Sequence, residues 1–207
     1  MKLIIGNKNL SSWSLRPWLV LKQAGIAFEE VLIALRQPDS RQRILAHSPS
    51  GKVPCLIDGD IVIWDSLAIA EYIAERHSEL WPADNKARAV ARAVSAEMHS
   101  GFTNLRTHMT MDVVKRAPNE GRTPEVEQDI ARIVAIWNDC QARFGGAGEF
   151  LFGRFSIADA MYAPVCLRFQ TYGVEPAGPA GVYLQTMLAL PAMREWQAAA
   201  LVEVAAA

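Results

Sequence analysis

The apolar positions along the chain fall into two textures that meet near residue 80. In the first, short apolar runs alternate with stretches of helical spacing. Leu3-Ile4-Ile5 predicts a short buried strand, with a polar loop from Asn7 to Ser12 after it. Leu15, Trp18, Leu19 and Leu21 then recur at the spacing of a helix over residues 15–24, which Gly25 terminates. Phe28 to Leu35 reads as a second strand. Pro54-Cys55-Leu56-Ile57 and Ile61-Val62-Ile63-Trp64 flank Asp58-Gly59-Asp60, the pattern of a hairpin closed by a glycine-containing turn. Leu67, Ile69, Ala70 and Ile73 restore helical spacing. The predicted order is β-α-β-(short helix)-β-β-α.

Beyond Trp81-Pro82-Ala83-Asp84-Asn85, which reads as a linker, strand signals nearly vanish. Residues 86–116, 124–144, 156–170 and 183–203 are rich in Ala, Arg, Glu, Leu and Met and favour helix. Breakers at Pro118 to Pro124, Gly145 to Gly148 and Pro176 to Gly181 separate them. These textures predict a small α/β domain over residues 1–80, a linker over 81–87 and an all-α domain over 88–207.

Charge and composition narrow the function classes. Of 207 residues, 21 are Lys or Arg and 22 Asp or Glu, and this balance lacks the clustered cationic excess that nucleic-acid binding needs. No run approaches the ~20 apolar residues of a membrane span, and the apolar start at Leu3 is too short for a secretory signal. A cytoplasmic protein with no membrane partner is the expectation. Cys55, Cys140 and Cys166 are widely spaced with no C-x-x-C, which argues against a disulfide framework or structural zinc. His99 and His108 would face opposite sides of a helix, and His47 and His77 have no ligand-spaced neighbour, so no metal is expected.

Three segments carry candidate chemistry. Ser11-Ser12-Trp13-Ser14-Leu15-Arg16-Pro17-Trp18 opens the first helix. A serine there caps the helix, and that alone explains it. A hydroxyl beside free N–H groups at a helix start also stabilises an anion. No Ser-His-Asp order or G-x-S-x-G elbow accompanies these serines, so they read as donors rather than nucleophiles. Lys52-Val53-Pro54 enters the third strand, where a proline suits a sharp turn or a cis peptide. Asp65-Ser66 opens the next helix, again as a cap or as a carboxylate site.

Taken in order, strand–Ser–helix, Val-Pro–strand and Asp-Ser–helix within 66 residues resemble the thioredoxin-like domain of a glutathione S-transferase. Phe155-Ser156-Ile157-Ala158-Asp159-Ala160 resembles the family's helix-capping box, and Trp81-Pro82 sits at the position of its interdomain linker. Ser-Ser-x-Ser-x-Arg resembles the serine-type zeta and tau classes, bacterial-style cytosolic members among them. Trp13 stands where the zeta motif has a cysteine, a departure that weighs against maleylacetoacetate isomerase activity.

The resemblance implies glutathione as co-substrate, with Ser11 and Ser12 activating its thiol. Asp65 and Ser66 would hold the γ-glutamyl end, Val53 before a cis Pro54 would pair with the cysteinyl backbone, and Lys52 would reach the glycine carboxylate. The reaction class is thiolate attack on a small electrophile: conjugation, peroxide reduction, dehalogenation or isomerisation. Within the helix predicted over 86–116, Ser95, His99, Phe102, Arg106 and Met109 share one face. With Trp13, the residues His99, Phe102 and Arg106 are the expected electrophile pocket, though Phe102 as core and Arg106 in an ion pair fit the same spacing. A homodimer is implied as well, the first domain of one subunit against the second domain of the other. Because the same fold serves in transcription- and translation-associated proteins, a non-enzymatic interaction or ligand-binding module is the alternative.

Overall fold

In the computed structural model, which describes residues 1–206, the first half builds a four-stranded sheet and three helices. They follow as β1 (Lys2–Gly6), α1 (Ser12–Gln23), β2 (Glu29–Ile33), α2 (Ser40–Leu45), β3 (Cys55–Asp58), β4 (Ile61–Trp64) and α3 (Ser66–Ala74). The sheet order is β2-β1-β3-β4, with β2 parallel to β1 and the other pairs antiparallel. A parallel neighbour requires a crossover, which α1 supplies, whereas β3 and β4 need only the turn at Gly59, whose φ is +62°. Strand alternation then sorts the apolar side chains. Leu3, Ile5 and Leu56 face α1 and α3, while Ile4, Ile33 and Cys55 pack with Ile44 of α2 on the other face.

The second half is helical: α4 (Asn85–Ser100), α5 (Thr103–His108), α6 (Pro124–Cys140), α7 (Ile157–Tyr172), α8 (Gly178–Ala189) and α9 (Pro191–Ala205). Every residue of α7 from Ile157 to Phe169 is buried, so α7 is the axis of this half, in contact with α1, α4 and α8. One apolar core runs through both halves, from Trp18 on α1 to Trp137 on α6 and Trp196 on α9. The predicted capping box forms at the start of α7. The Asp159 carboxylate accepts from Ser156 N (2.8 Å), Ser156 Oγ (2.9 Å) and Leu151 N (3.1 Å). Complete burial pushes the Asp159 pKa up to about 6 in spite of those donors. All three cysteines are buried and unpaired, and burial raises their thiol pKa values, that of Cys140 to about 12.

Three expectations are corrected. The helix predicted over 86–116 breaks after Ser100, because Gly101 is extended and Phe102 takes φ +56°, and α5 ends at His108. The helix predicted over 183–203 is two helices meeting at Leu190, where Pro191 opens α9. The stretch read as a breaker, Pro176 to Gly181, contains the first turn of α8, with Pro179 in that turn. Among the described residues no helix is long and apolar enough to cross a membrane, and no group of three or more His, Cys, Asp or Glu is placed to hold a metal ion.

Candidate functional site

The start of α1 is held from the helical half. Asn9 accepts from Val113 N through its carbonyl (3.2 Å) and from Val114 N through Oδ1 (3.0 Å). Trp196 Nε1 of α9 donates to Lys8 O at 2.8 Å. Ser11 is the N-cap of α1 and is 5% exposed. Its hydroxyl accepts from Ser14 N at 3.4 Å and donates to Ser14 Oγ at 2.7 Å, and Ser14 Oγ in turn accepts from Gly6 N at 3.1 Å. The Ser11 hydroxyl is therefore committed to the cap. Ser12, the first helical residue, is half-buried, and among the described residues neither its hydroxyl nor the Trp13 N–H has a hydrogen-bond partner. Pro17 lies in the helix interior.

A cleft of about 550 Å³ opens beside this helix start, lined by Trp13, Ser50, Lys52, Val53, Pro54, Trp64, Asp65 and Ser66. It brings together every candidate from the Lys52 and Asp65 segments, and the Val53–Pro54 peptide is cis. Ser11 and Ser12, at the helix start next to Trp13 in the chain, do not line it. At the far side, Asp65 takes φ +76°, a backbone conformation that non-glycine residues rarely adopt and that marks sites held under strain. Its Oδ1 caps α3 by accepting from Leu67 N (2.9 Å) and Ala68 N (3.3 Å). Ser66, fully buried, places its N–H at the first turn of α3 with no partner among the described residues.

The broken helix redistributes the expected electrophile pocket. Ser95, His99, Phe102, Arg106 and Met109 do not form one helical face, since α4 and α5 are separate. His99 stays near the cleft, its ring edge-on to Trp13 at 5.2 Å and its Nε2 3.2 Å from Asp65 Oδ2. Burial, with Arg16 and Arg106 adding to it, holds the His99 pKa below the ordinary imidazole range against the pull of Asp65. At neutral pH the contact is thus one between an uncharged imidazole and the carboxylate. Phe102 is 8% exposed and belongs to the core. Arg106 spends Nη2 on the carbonyls of Met98 (2.6 Å) and His99 (2.8 Å), closing the end of α4, while its guanidinium faces the Trp13 ring at 5.1 Å.

Three residues of the site carried no expectation. Ser50 and Trp64 line the cleft. Arg16 is 2% exposed, stacks on Trp13 at 4.3 Å and donates to Ser66 Oγ at 3.5 Å. The signal for Arg16 lay in its spacing, a charged residue on the α1 face shared with Leu19 and Val20. A second cleft of about 540 Å³ lies under the linker beside Arg88 and Arg154 and gathers none of the candidates.

A mixed sheet of this order with α1, α2 and α3, followed by a bundle built around α7, defines a protein of the thioredoxin-like plus all-helical class. The model of the glutathione S-transferase N-terminal domain matches residues 10–76, and that of the C-terminal domain matches residues 120–199. Glutathione S-transferase F10 of Arabidopsis thaliana is 30% identical over 81% of this chain and 79% of its own length. A stringent starvation protein A homolog of Haemophilus ducreyi is 24% identical over 79% of this chain and 72% of its own. A glutathione transferase homolog from Burkholderia, solved with bound glutathione, shares the fold over 97% of both chains with a TM-score of 0.71 at 22% identity. The chain belongs to the glutathione S-transferase family.

Proposed function

We propose that the enzyme binds glutathione in the cleft between Trp13 and Ser66 and holds its sulfur as a thiolate at the start of α1, for attack on a small electrophile. The observation that carries this reading is that one cleft adjoins two helix starts whose donors lack protein partners: the Ser12 hydroxyl and Trp13 N–H of α1, and the Ser66 N–H of α3. Helix starts stabilise anions through such N–H groups and the helix dipole. The Ser66 N–H and hydroxyl take the γ-glutamyl carboxylate, and Asp65 faces its amine. Val53 pairs its main chain with the cysteinyl residue by strand addition, and Lys52 meets the glycine carboxylate.

At the other end, a free thiol of pKa ~8.5 is only a few per cent ionised at neutral pH. Hydrogen bonds from Ser12 Oγ and Trp13 N, added to the α1 dipole, lower it by about 1–2 units, which makes the thiolate a major species at pH 7. The electrophile approaches along Trp13 and His99. The thiolate sulfur forms the new bond to the electrophilic atom, and the electron pair leaves with the displaced group or is protonated on the adduct.

The test is a pH titration of the thiolate absorbance of bound glutathione. A midpoint about 1–2 units below the free thiol is expected. Binding with an unshifted midpoint would favour the second reading, an interaction module, to which the likeness to the stringent starvation protein homolog lends weight. A protein that binds no glutathione at all would end the proposal.

Self-association belongs to the same reading. Edge strand β4 exposes Ile61 (47%), Val62 (37%) and Trp64 (48%), an apolar surface suited to the helical half of a second copy. Ile61→Glu is expected to shift the sedimenting species from dimer to monomer while leaving the melting temperature of the monomer unchanged. A wild type that sediments as a monomer at micromolar concentration would remove the assignment.

A further inference from the structure

Packing does not explain the last turn of α9. Ala200 is the last fully buried residue of that helix, and Leu201, Val202 and Val204 beyond it are all exposed. A terminal turn that shows its apolar side chains to water gains little from burial and frays unless another contact holds it. Within residues 201–206 only Glu203 is not exposed. Its carboxylate reaches the loop between β1 and α1, where Oε2 accepts from Lys8 N at 2.7 Å and Oε1 accepts from Asn7 Nδ2. Hydrogen bonds to a carboxylate are of the stronger kind, and two to one carboxylate fix direction as well as distance.

The anchor acts through Asn7. Its Oδ1 accepts from Leu35 N at 2.6 Å, just past the end of β2, and its carbonyl accepts from Leu10 N (3.1 Å) and Ser11 N (2.8 Å). The turn from Asn7 to Ser11 is therefore built on this one residue, and α1 begins where the turn ends. Ser11 caps the helix, and the unpartnered donors of the site, the Ser12 hydroxyl and Trp13 N–H, follow directly. Trp196 stands two turns before Glu203 on the same face of α9 and donates to Lys8 O, so α9 grips the Lys8 backbone at both its N–H and its carbonyl. Among these contacts Glu203 supplies the one charged group. We infer that Glu203 is a positioning residue for the thiolate site: from the last turn of α9 it fixes the Asn7–Ser11 turn, and through it the two donors at the start of α1. The inference rests on the glutathione reading of the cleft and deepens it.

The experiment titrates the thiolate absorbance of bound glutathione against pH in wild type, Glu203→Ala and Glu203→Gln, each verified as folded by circular dichroism. The affinity of S-methylglutathione, which has no ionisable thiol, is measured by calorimetry alongside. A carboxylate that acted only as a nearby charge would disfavour a second anion, so its removal would lower the midpoint. A carboxylate that places donors has the opposite sign. Glu203→Ala is expected to raise the midpoint by about half a unit, a fall of about threefold in thiolate population below it. S-methylglutathione affinity should stay within about twofold of wild type. Glu203→Gln, whose amide oxygen still accepts from Lys8 N, should show a smaller rise. A midpoint that is unchanged or lowered in Glu203→Ala overturns the inference. So does an S-methylglutathione affinity that falls as far as the thiolate population, since that reports a loosened cleft rather than displaced donors. Should Glu203→Ala not fold, Glu203→Gln decides by the same criteria. Wild type that binds no glutathione, or binds it with an unshifted thiol, would instead overturn the glutathione reading before any variant is compared.

Discussion

Ser12→Ala is expected to raise the thiol pKa of bound glutathione by about 1 unit, the loss of one charge-assisted donor of roughly 1.4 kcal/mol. Below the titration midpoint the thiolate population then falls about tenfold. Part of that loss is returned, because a more basic thiolate is also the stronger nucleophile, with a Brønsted slope of about 0.4–0.5. The net fall in kcat/KM is about threefold at pH 6 and reverses to a gain of about threefold above about pH 9, where the thiol is ionised in both proteins and only the difference in basicity is left. Ser11→Ala has the opposite signature. The Ser11 hydroxyl is tied to Ser14, so its removal costs about 1 kcal/mol of helix cap and leaves the thiol titration in place. Thermal melts and thiolate titrations of the two variants separate these roles. A raised thiol pKa in Ser11→Ala, with Ser12→Ala unchanged, would transfer the activating role to Ser11.

Asp159→Ala is the most damaging single change expected outside the cleft. Removing the carboxylate strands Leu151 N–H, Ser156 N–H and the Ser156 hydroxyl, all buried. Leaving such donors unmet costs about 3–5 kcal/mol, or on the order of 10 °C in melting temperature for a chain of this size. The pH dependence has a definite sign. The folded pKa of Asp159, about 6, lies above the ordinary aspartate value of 3.8. The folded state therefore holds this proton more tightly, and the group's contribution to stability is complete below about pH 4 and lost as pH rises through 6. Over that window it amounts to about 2–3 kcal/mol. Asp159→Asn, which cannot titrate, should flatten the unfolding free energy between pH 4 and 6. An unchanged slope in that variant would show that Asp159 stays ionised throughout.

What was legible in the sequence was what neighbouring residues decide among themselves. The hairpin at Gly59, the cap at Ser11 and the box from Ser156 to Asp159 are each settled within four residues, and each forms in the structure. The grouping of Lys52, Val53, Pro54, Asp65 and Ser66 was also readable, since three junctions of one small sheet converge at its end. The break after Ser100 was not. Phe102 adopts φ +56° because its ring enters the core and Arg106 folds back on the carbonyls of Met98 and His99, choices made by distant packing. Arg16 sits between these cases. Its position in the Ser-Ser-x-Ser-x-Arg motif was plain, but only the fold shows that α1 turns it inward beneath Ser66, against Trp13.

The three buried cysteines bear on how such an enzyme coexists with its own reagent. A thiol exchanges with a disulfide only as thiolate, and only where the attacking or attacked sulfur can be reached. Cys55, Cys140 and Cys166 are 0%, 1% and 0% exposed, and burial raises the pKa of each. In a cell where glutathione and its disulfide are abundant, this chain offers them no reactive sulfur of its own. Under the glutathione reading, the thiol it binds would be the one thiol the folded protein presents to an electrophile. Unfolding would reverse that, turning all three cysteines into sites for mixed disulfides.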